Sequence, residues 1–402
     1  MKVPFFHRIG AGGQAESLKR HFVRRIFLAV FLLLIAGGIA FFFRANSILE
    51  KISSGKGNIF ENIIKSVPGV ESKLKGEDVG RINILLLGMR GEKLTGGGLL
   101  ADTIMVLSIH PSQQEGDVPR ASLVSIPRDL SVAVPDTTER RKINAVYALG
   151  EEKKSGVGME NMKRVVSDVT GQPIEYALVI NFQGFVDLVN AVGGVTVHLD
   201  QPFEEGVQFR GLEQRCDLTT YTIPSGNVEV KKGTRRNGSV YYRHYDLCFE
   251  KMTAAAIGEL ECGGDFKLPA GDNQLDGEKA LCYARARYKT SDFDRARRQQ
   301  EIIQLVKAKA LSAGTLADFG KVQAMMDALG ENFRTDMAGW EMKRAFDLYQ
   351  KLGADPKVTQ KVLEDSEEGL LYHPAETKET GYILLPLGDN YDRIKALFQS
   401  IP

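Results

Sequence analysis

The chain has 402 residues, 43% hydrophobic and 26% charged, with 52 basic and 51 acidic side chains and a formal net charge of +1. That balance excludes a general nucleic-acid binder, which carries a basic excess, and the length suits one large or two modest domains. Recognition of an anion has to come from a local cluster.

Residues 26–43, IFLAVFLLLIAGGIAFFF, contain no charge. As a helix they span roughly 27 Å, close to the ~30 Å hydrocarbon core of a bilayer. Lys19, Arg20, Arg24 and Arg25 precede the run and only Arg44 follows closely. The positive-inside rule then puts a tail, 1–25, in the cytoplasm and 44–402 outside a cell membrane crossed once. The run is longer than a signal-peptide core, and Phe41–Phe43 make a poor cleavage site, so it reads as an uncleaved signal anchor. A polar stalk, 44–79, follows.

A domain is expected over 80–311. RINILLLG (81–88), DTIMVLSI (102–109) and RASLVSIP (120–127) are short apolar runs bounded by Gly or Pro, the pattern of buried strands. GMENMKRVVSDVTG (158–171) spaces its apolar residues as a helix that stops at Gly171. YALVIN (176–181) and VTVHLD (195–200) read as strands around a helix, 182–194. Strands alternating with helices predict an α/β fold, α/β/α layered around a central mixed sheet. Residues 201–265 break the rhythm and read as an insertion. GEKALCYARARY is expected to run from a short helix into a strand, and DRARRQQEIIQLVKAKAL (294–311) forms an amphipathic helix. Residues 312–402 are expected to be a C-terminal extension.

Outside the cytoplasm disulfides persist, and a bridge among Cys216, Cys248 and Cys262 would staple the insertion. Cys282 is expected to pack as a small apolar residue.

YARARYKTSDFDRARRQQ (283–300) places Arg285, Arg287, Arg295, Arg297 and Arg298 beside only two acids, Asp292 and Asp294. The stretch either forms an ion-pair network or awaits an anion. Arg128, after Pro127 at a strand end, and Lys142 are further candidates, because strand ends of α/β sheets are where ligands sit. Guanidinium groups fork onto phosphate oxygens, and a helix N-terminus near Asp294 adds amide donors. Asp102 opens a strand and is either a turn residue or a ligand for a hard cation shared with phosphate. There is no GxSxG elbow, GxxxxGK[ST] loop or HExxH pair, and the six His are scattered.

The blocks LLLG, ADTIMVLSI, ASLVSIPRDL, KINAVYALG, INFQGFVDLVNAVGGVTV, LDGEKALCYARAR and DFDRARRQQ, in this order over roughly 80–310, resemble the LytR-CpsA-Psr (LCP) family. The resemblance implies a phosphotransferase that moves a glycopolymer from a polyprenyl-pyrophosphate carrier to peptidoglycan at the outer membrane face. It implies that Arg128, Arg285, Arg287, Arg295 and Gln299, with Lys142 and Arg298, bind the pyrophosphate. Asp292 would be a catalytic or arginine-orienting carboxylate, and apolar residues in 176–192 would line a pocket for the isoprenoid chain. Mg²⁺ would sit on Asp102, with Glu92 as the carboxylate nearest the family's second position, where this chain has Arg90. A polyprenyl-pyrophosphate hydrolase and a non-catalytic lipid-phosphate scaffold are the alternative readings.

Overall fold

Apolar runs too short and too evenly hydrophobic for surface helices become the middle of one sheet. The computed structural model describes residues 73–91, 98–111, 120–205, 213–251, 253, 261–264, 266–287, 289–311, 330, 332–350, 358–377 and 380–401. The expected anchor and most of the stalk lie outside these residues, and no described helix is long and apolar enough to cross a membrane.

β1 (Ile82–Met89) pairs antiparallel with β2 (Ala101–His110), which pairs antiparallel with β3 (Arg120–Ser125). Two helices missing a clear strand pattern follow, α1 (Ala145–Lys153) and α2 (Val157–Thr170). α2 places Met159, Met162, Val165, Val166 and Val169 inward and ends on Gly171, whose φ of 67° is the left-handed geometry that glycine adopts freely. β4 (Tyr176–Asn181) returns parallel to β1. Its last residue, Asn181, caps α3 (Phe182–Ala191) by accepting from Gly184 N at 2.8 Å. β5 (Val195–Leu199) leads into the insertion.

The insertion is a long hairpin, β6 (Tyr221–Thr234) and β7 (Val240–Glu250), with Glu213–Arg215 as a third strand. A Cys216–Cys248 disulfide pins its base. β8 (Gly271–Leu275) pairs back onto β5. α4 (Gly277–Arg285) and α5 (Asp292–Leu311) follow.

Two expectations need correction here. Cys282 does pack in an apolar core, but it is also disulfide-bonded to Cys262, tying α4 to the turn Glu261–Gly264. Nor does YARARY become a strand: Asp276 caps α4 at Lys279 N, the helix runs through Arg285, and among the described residues no sheet partner takes Ala286 and Arg287.

The chain beyond 311 supplies both edges of the central sheet. β9 (Phe333–Thr335) pairs with β4, and β10 (Val358–Val362) pairs parallel with β3, giving the order β9-β4-β1-β2-β3-β10. Antiparallel and parallel pairs coexist, so the sheet is mixed. Two last helices are α6 (Gly339–Gln350) and α7 (Asp392–Ser400). One face of the sheet packs Leu85, Leu87, Ile104 and Val106 against α1, α2 and α7. α3, α4 and α5 stand over part of the other face, and Ile82, Ile84 and Tyr176 pack beneath α6.

Candidate active site

Three chain segments distant in sequence meet at one end of the sheet: the start of β2, the turn after β3 and the first turn of α5. Ser291 caps α5 reciprocally with Asp294: Ser291 Oγ accepts from Asp294 N at 3.0 Å, and Ser291 N donates to Asp294 Oδ2 at 3.0 Å. That cap fixes Asp292 and Arg295 in the first turn. Arg128 then reaches two carboxylates, donating from Nη1 to Asp102 Oδ1 at 2.7 Å and from Nε to Asp292 Oδ2 at 3.1 Å. Arg295 Nη2 donates to the same Asp292 oxygen at 3.1 Å, and Arg287 Nη1 lies 3.7 Å from Asp292 Oδ1.

Arg128, partly buried, and Arg295, fully buried, feel this environment differently. Burial pulls the Arg128 pKa down, but Asp292, Asp102 and Asp129 outweigh it and leave it raised. Arg295 is only 7% exposed, and burial lowers it to about 10, with Arg128 adding repulsion against the pull of Asp292. It therefore stays charged at neutral pH. Its Nε is buried without a hydrogen-bond partner among the described residues. A buried donor left unpaired costs about 1–3 kcal/mol, so an anion accepting from it would gain correspondingly.

Lys142 meets the cluster through a residue that sequence reasoning missed. Its Nζ donates to Asp129 Oδ1 at 2.6 Å, while Asp129 Oδ2 lies 3.6 Å from Arg128 Nε. The RD pair at the strand end was the available signal: its second member links the two cations.

Arg285 and Gln299 line an apolar cavity. The Arg285 guanidinium carbon is 4.6 Å from the Phe182 ring centroid, and Gln299 Nε2 donates to Ala284 O at 3.2 Å. The cavity, of about 240 Å³, opens between the sheet and α3, α4 and α5. Leu86, Leu178, Ile180, Phe185, Ile303 and Val306 are among its lining residues. Gln299 and Thr103 also line the small pocket that holds Asp102, Arg128, Asp292 and Arg295, so the cationic cluster and the apolar cavity adjoin.

Arg298 is placed elsewhere. It is 7% exposed and donates from Nε to Tyr283 O at 3.0 Å and from Nη2 to Ala286 O and to Thr290 Oγ1. It therefore satisfies carbonyls at the C-terminal end of α4 and fixes the segment carrying Arg285 and Arg287. Spacing put it on one helix face with Arg295; the carbonyls left over at the end of α4 turned its side chain toward that helix.

Glu92 lies outside the described residues. Asp102, about a third exposed, is held by Arg128. Among the described residues no three His, Cys, Asp or Glu side chains converge on a point. Mg²⁺ often takes only one or two carboxylates and completes its shell with phosphate oxygens and water, so Asp102 fits one corner of such a site when an anionic substrate supplies others.

The arrangement combines fixed cations with an adjoining apolar slot, the needs of a molecule with a phosphate head and a hydrocarbon tail. A teichoic acid transferase of Enterococcus faecalis, "Polyisoprenyl-teichoic acid--peptidoglycan teichoic acid transferase TagU", is 23% identical over 89% of this chain and 94% of its own length. The crystal structure of TagV from B. subtilis superposes with a TM-score of 0.51 at 21% identity, covering 79% of this chain and 96% of that one. A structure described as "TagT bound to LIIa-WTA" gives a TM-score of 0.50 at 20% identity over 83% and 94%. The LytR_cpsA_psr family model matches residues 49–380, and the chain belongs to that family.

Proposed function

We propose that this protein is a membrane-anchored phosphotransferase that moves a glycopolymer from a polyprenyl-pyrophosphate carrier to peptidoglycan, on the outer side of the cell membrane. The observation that carries this reading is the shared wall between the Arg128–Asp292–Arg295 cluster and the apolar cavity. The names of the relatives support the reaction class, and the 26–43 run supports the anchor.

In this reading the isoprenoid tail enters the cavity between α3 and α5, while the pyrophosphate rests among Arg128, Arg285, Arg287 and Arg295, with Lys142 and Gln299 beside it. An acceptor hydroxyl attacks the phosphorus that bears the glycan. The new phosphorus–oxygen bond forms, the bond to the bridging oxygen breaks, and polyprenyl phosphate departs with that electron pair. The hydroxyl proton passes to a base. Negative charge grows on the departing phosphate, and fixed guanidinium groups favour that state over the ground state. Asp292, an acceptor for Arg128 and Arg295 at once, holds both guanidinium planes in place. Mg²⁺ on Asp102 would neutralise a further part of the pyrophosphate charge.

The test uses the full chain in bilayers with a polyprenyl-pyrophosphate oligosaccharide, peptidoglycan fragments and Mg²⁺, read by mass spectrometry. Joined product and polyprenyl phosphate should form together, and both should vanish in Arg285→Ala/Arg287→Ala. Polyprenyl phosphate without joined product would make the protein a hydrolase. Binding without turnover would make it a scaffold.

A further inference from the structure

The β6–β7 hairpin takes no part in the site above. Its register runs from Val228↔Asp246 to Thr234↔Val240. Residues directly opposite share a face, and faces alternate along each strand. Val228, Val230, Val240 and Tyr242 therefore lie on one face, at 47%, 53%, 47% and 62% exposure. They are four of the seven exposed large hydrophobic residues among the described residues, so the apolar exposure is concentrated here. The opposite face is closed near its base. There Arg215 Nε donates to Glu229 Oε2 at 2.6 Å, and the Arg215 guanidinium carbon lies 3.7 Å from the Tyr245 ring centroid.

Charge on the same arm is one-sided. From Val230 to Tyr245 the chain carries Lys231, Lys232, Arg235, Arg236 and Arg243 and no acid, in a protein whose total is +1. On the valine–tyrosine face Lys232 stands among Thr234 and His244, with one acid, Asp246, at the base opposite Val228. Lys231 and Arg243 alternate to the other face, and Arg235 and Arg236 lie in the turn, so the excess of cations is at the tip and matches an anionic partner there. Aliphatic and tyrosine side chains with Lys and Arg around them settle at the level of lipid headgroups, where the long cationic stems reach back to phosphate.

We infer that the β6–β7 hairpin docks on an anionic phospholipid surface, with Val228, Val230, Val240 and Tyr242 toward the acyl boundary. The inference rests on the anchored reading, because the chain from Arg44 to Lys73 can hold the domain no farther than about 100 Å from the bilayer. The Cys216–Cys248 bridge keeps the arm's base fixed while its tip engages the surface.

The experiment uses the full chain carrying Tyr242→Trp and Trp340→Phe, which leaves one tryptophan, reconstituted in vesicles of phosphatidylcholine with about 30 mol% phosphatidylglycerol. Brominated acyl chains should quench the tryptophan, and quenching should fall in pure phosphatidylcholine or at roughly 0.5 M salt. It should be lost when Lys231, Lys232, Arg235 and Arg236 are all replaced by Glu. Resistance to carbonate extraction reads the 26–43 anchor separately. An anchored chain whose tryptophan ignores brominated lipid overturns this inference and leaves the anchor standing. In that case, shielding from aqueous acrylamide that grows with protein density would assign the face to a second copy. Free access of acrylamide would leave it solvated. A chain released by carbonate would instead overturn the anchor.

Discussion

Arg128 and Asp292 are 164 positions apart in the chain, yet Arg128 Nε donates to Asp292 Oδ2 at 3.1 Å. The contact joins the turn after β3 to the first turn of α5, and Arg295 uses the same oxygen. Asp292→Asn keeps the shape but removes the charge that orients both guanidinium groups. Initial rates of polyprenyl phosphate release should fall about 10²–10³-fold, the cost of misdirecting groups that stabilise developing charge. Arg128→Lys should recover little, because an ammonium cannot serve Asp102 and Asp292 with a planar fork.

Arg298 and Arg287 should separate cleanly. Arg298→Ala leaves buried carbonyls of Tyr283 and Ala286 without their donor, and denaturant titration should show a loss of about 2–3 kcal/mol. Arg287 is 46% exposed at its side chain, and Arg287→Ala should leave stability within about 0.5 kcal/mol while turnover drops.

Ile303 lines the apolar cavity from α5. Ile303→Trp fills space that the tail would occupy. KM should rise for long polyprenyl carriers and change much less for a carrier with a short tail, measured as a series of chain lengths. An equal change across the series would remove the tail from this cavity.

His110 ends β2 with its Nε2 buried and without a hydrogen-bond partner among the described residues. Burial first, then Arg81 and Arg120, push its pKa down to about 4 from an ordinary value of 6.5. Between those values the unfolded chain binds the proton and the native chain does not, so stability falls as pH drops from 6.5 toward 4. His110→Asn should flatten that part of the Tm-against-pH curve relative to the parent. Parallel curves would show that other groups set the slope.

The central strands could be read from β1, β2 and β3 because both faces of each are buried, which leaves runs such as ILLL uninterrupted. α2 was equally plain from its spacing. The arginine cluster stood out by composition, but its geometry did not. Arg295 and Arg298 share a helix face by periodicity, and only the unpaired carbonyls of α4 send them to different tasks. Cys282 looked like a core residue because nothing in its spacing marks Cys262 as a partner. β9 and β10 were unreadable for another reason. Three and five residues long, they take their strand conformation from β4 and β3, a preference set by neighbours far off in sequence.

Those late edge strands bear on how the protein is made. β3 waits for Val358–Val362, more than two hundred residues later, before its outer rim is paired, and β4 waits for Phe333–Thr335. A polypeptide lengthening from its N-terminal side would expose two sticky rims until nearly the whole chain was available. Unpaired strand rims recruit other chains, and pairings this distant close slowly. Premature termination after α5 should therefore yield insoluble aggregates instead of a smaller folded protein.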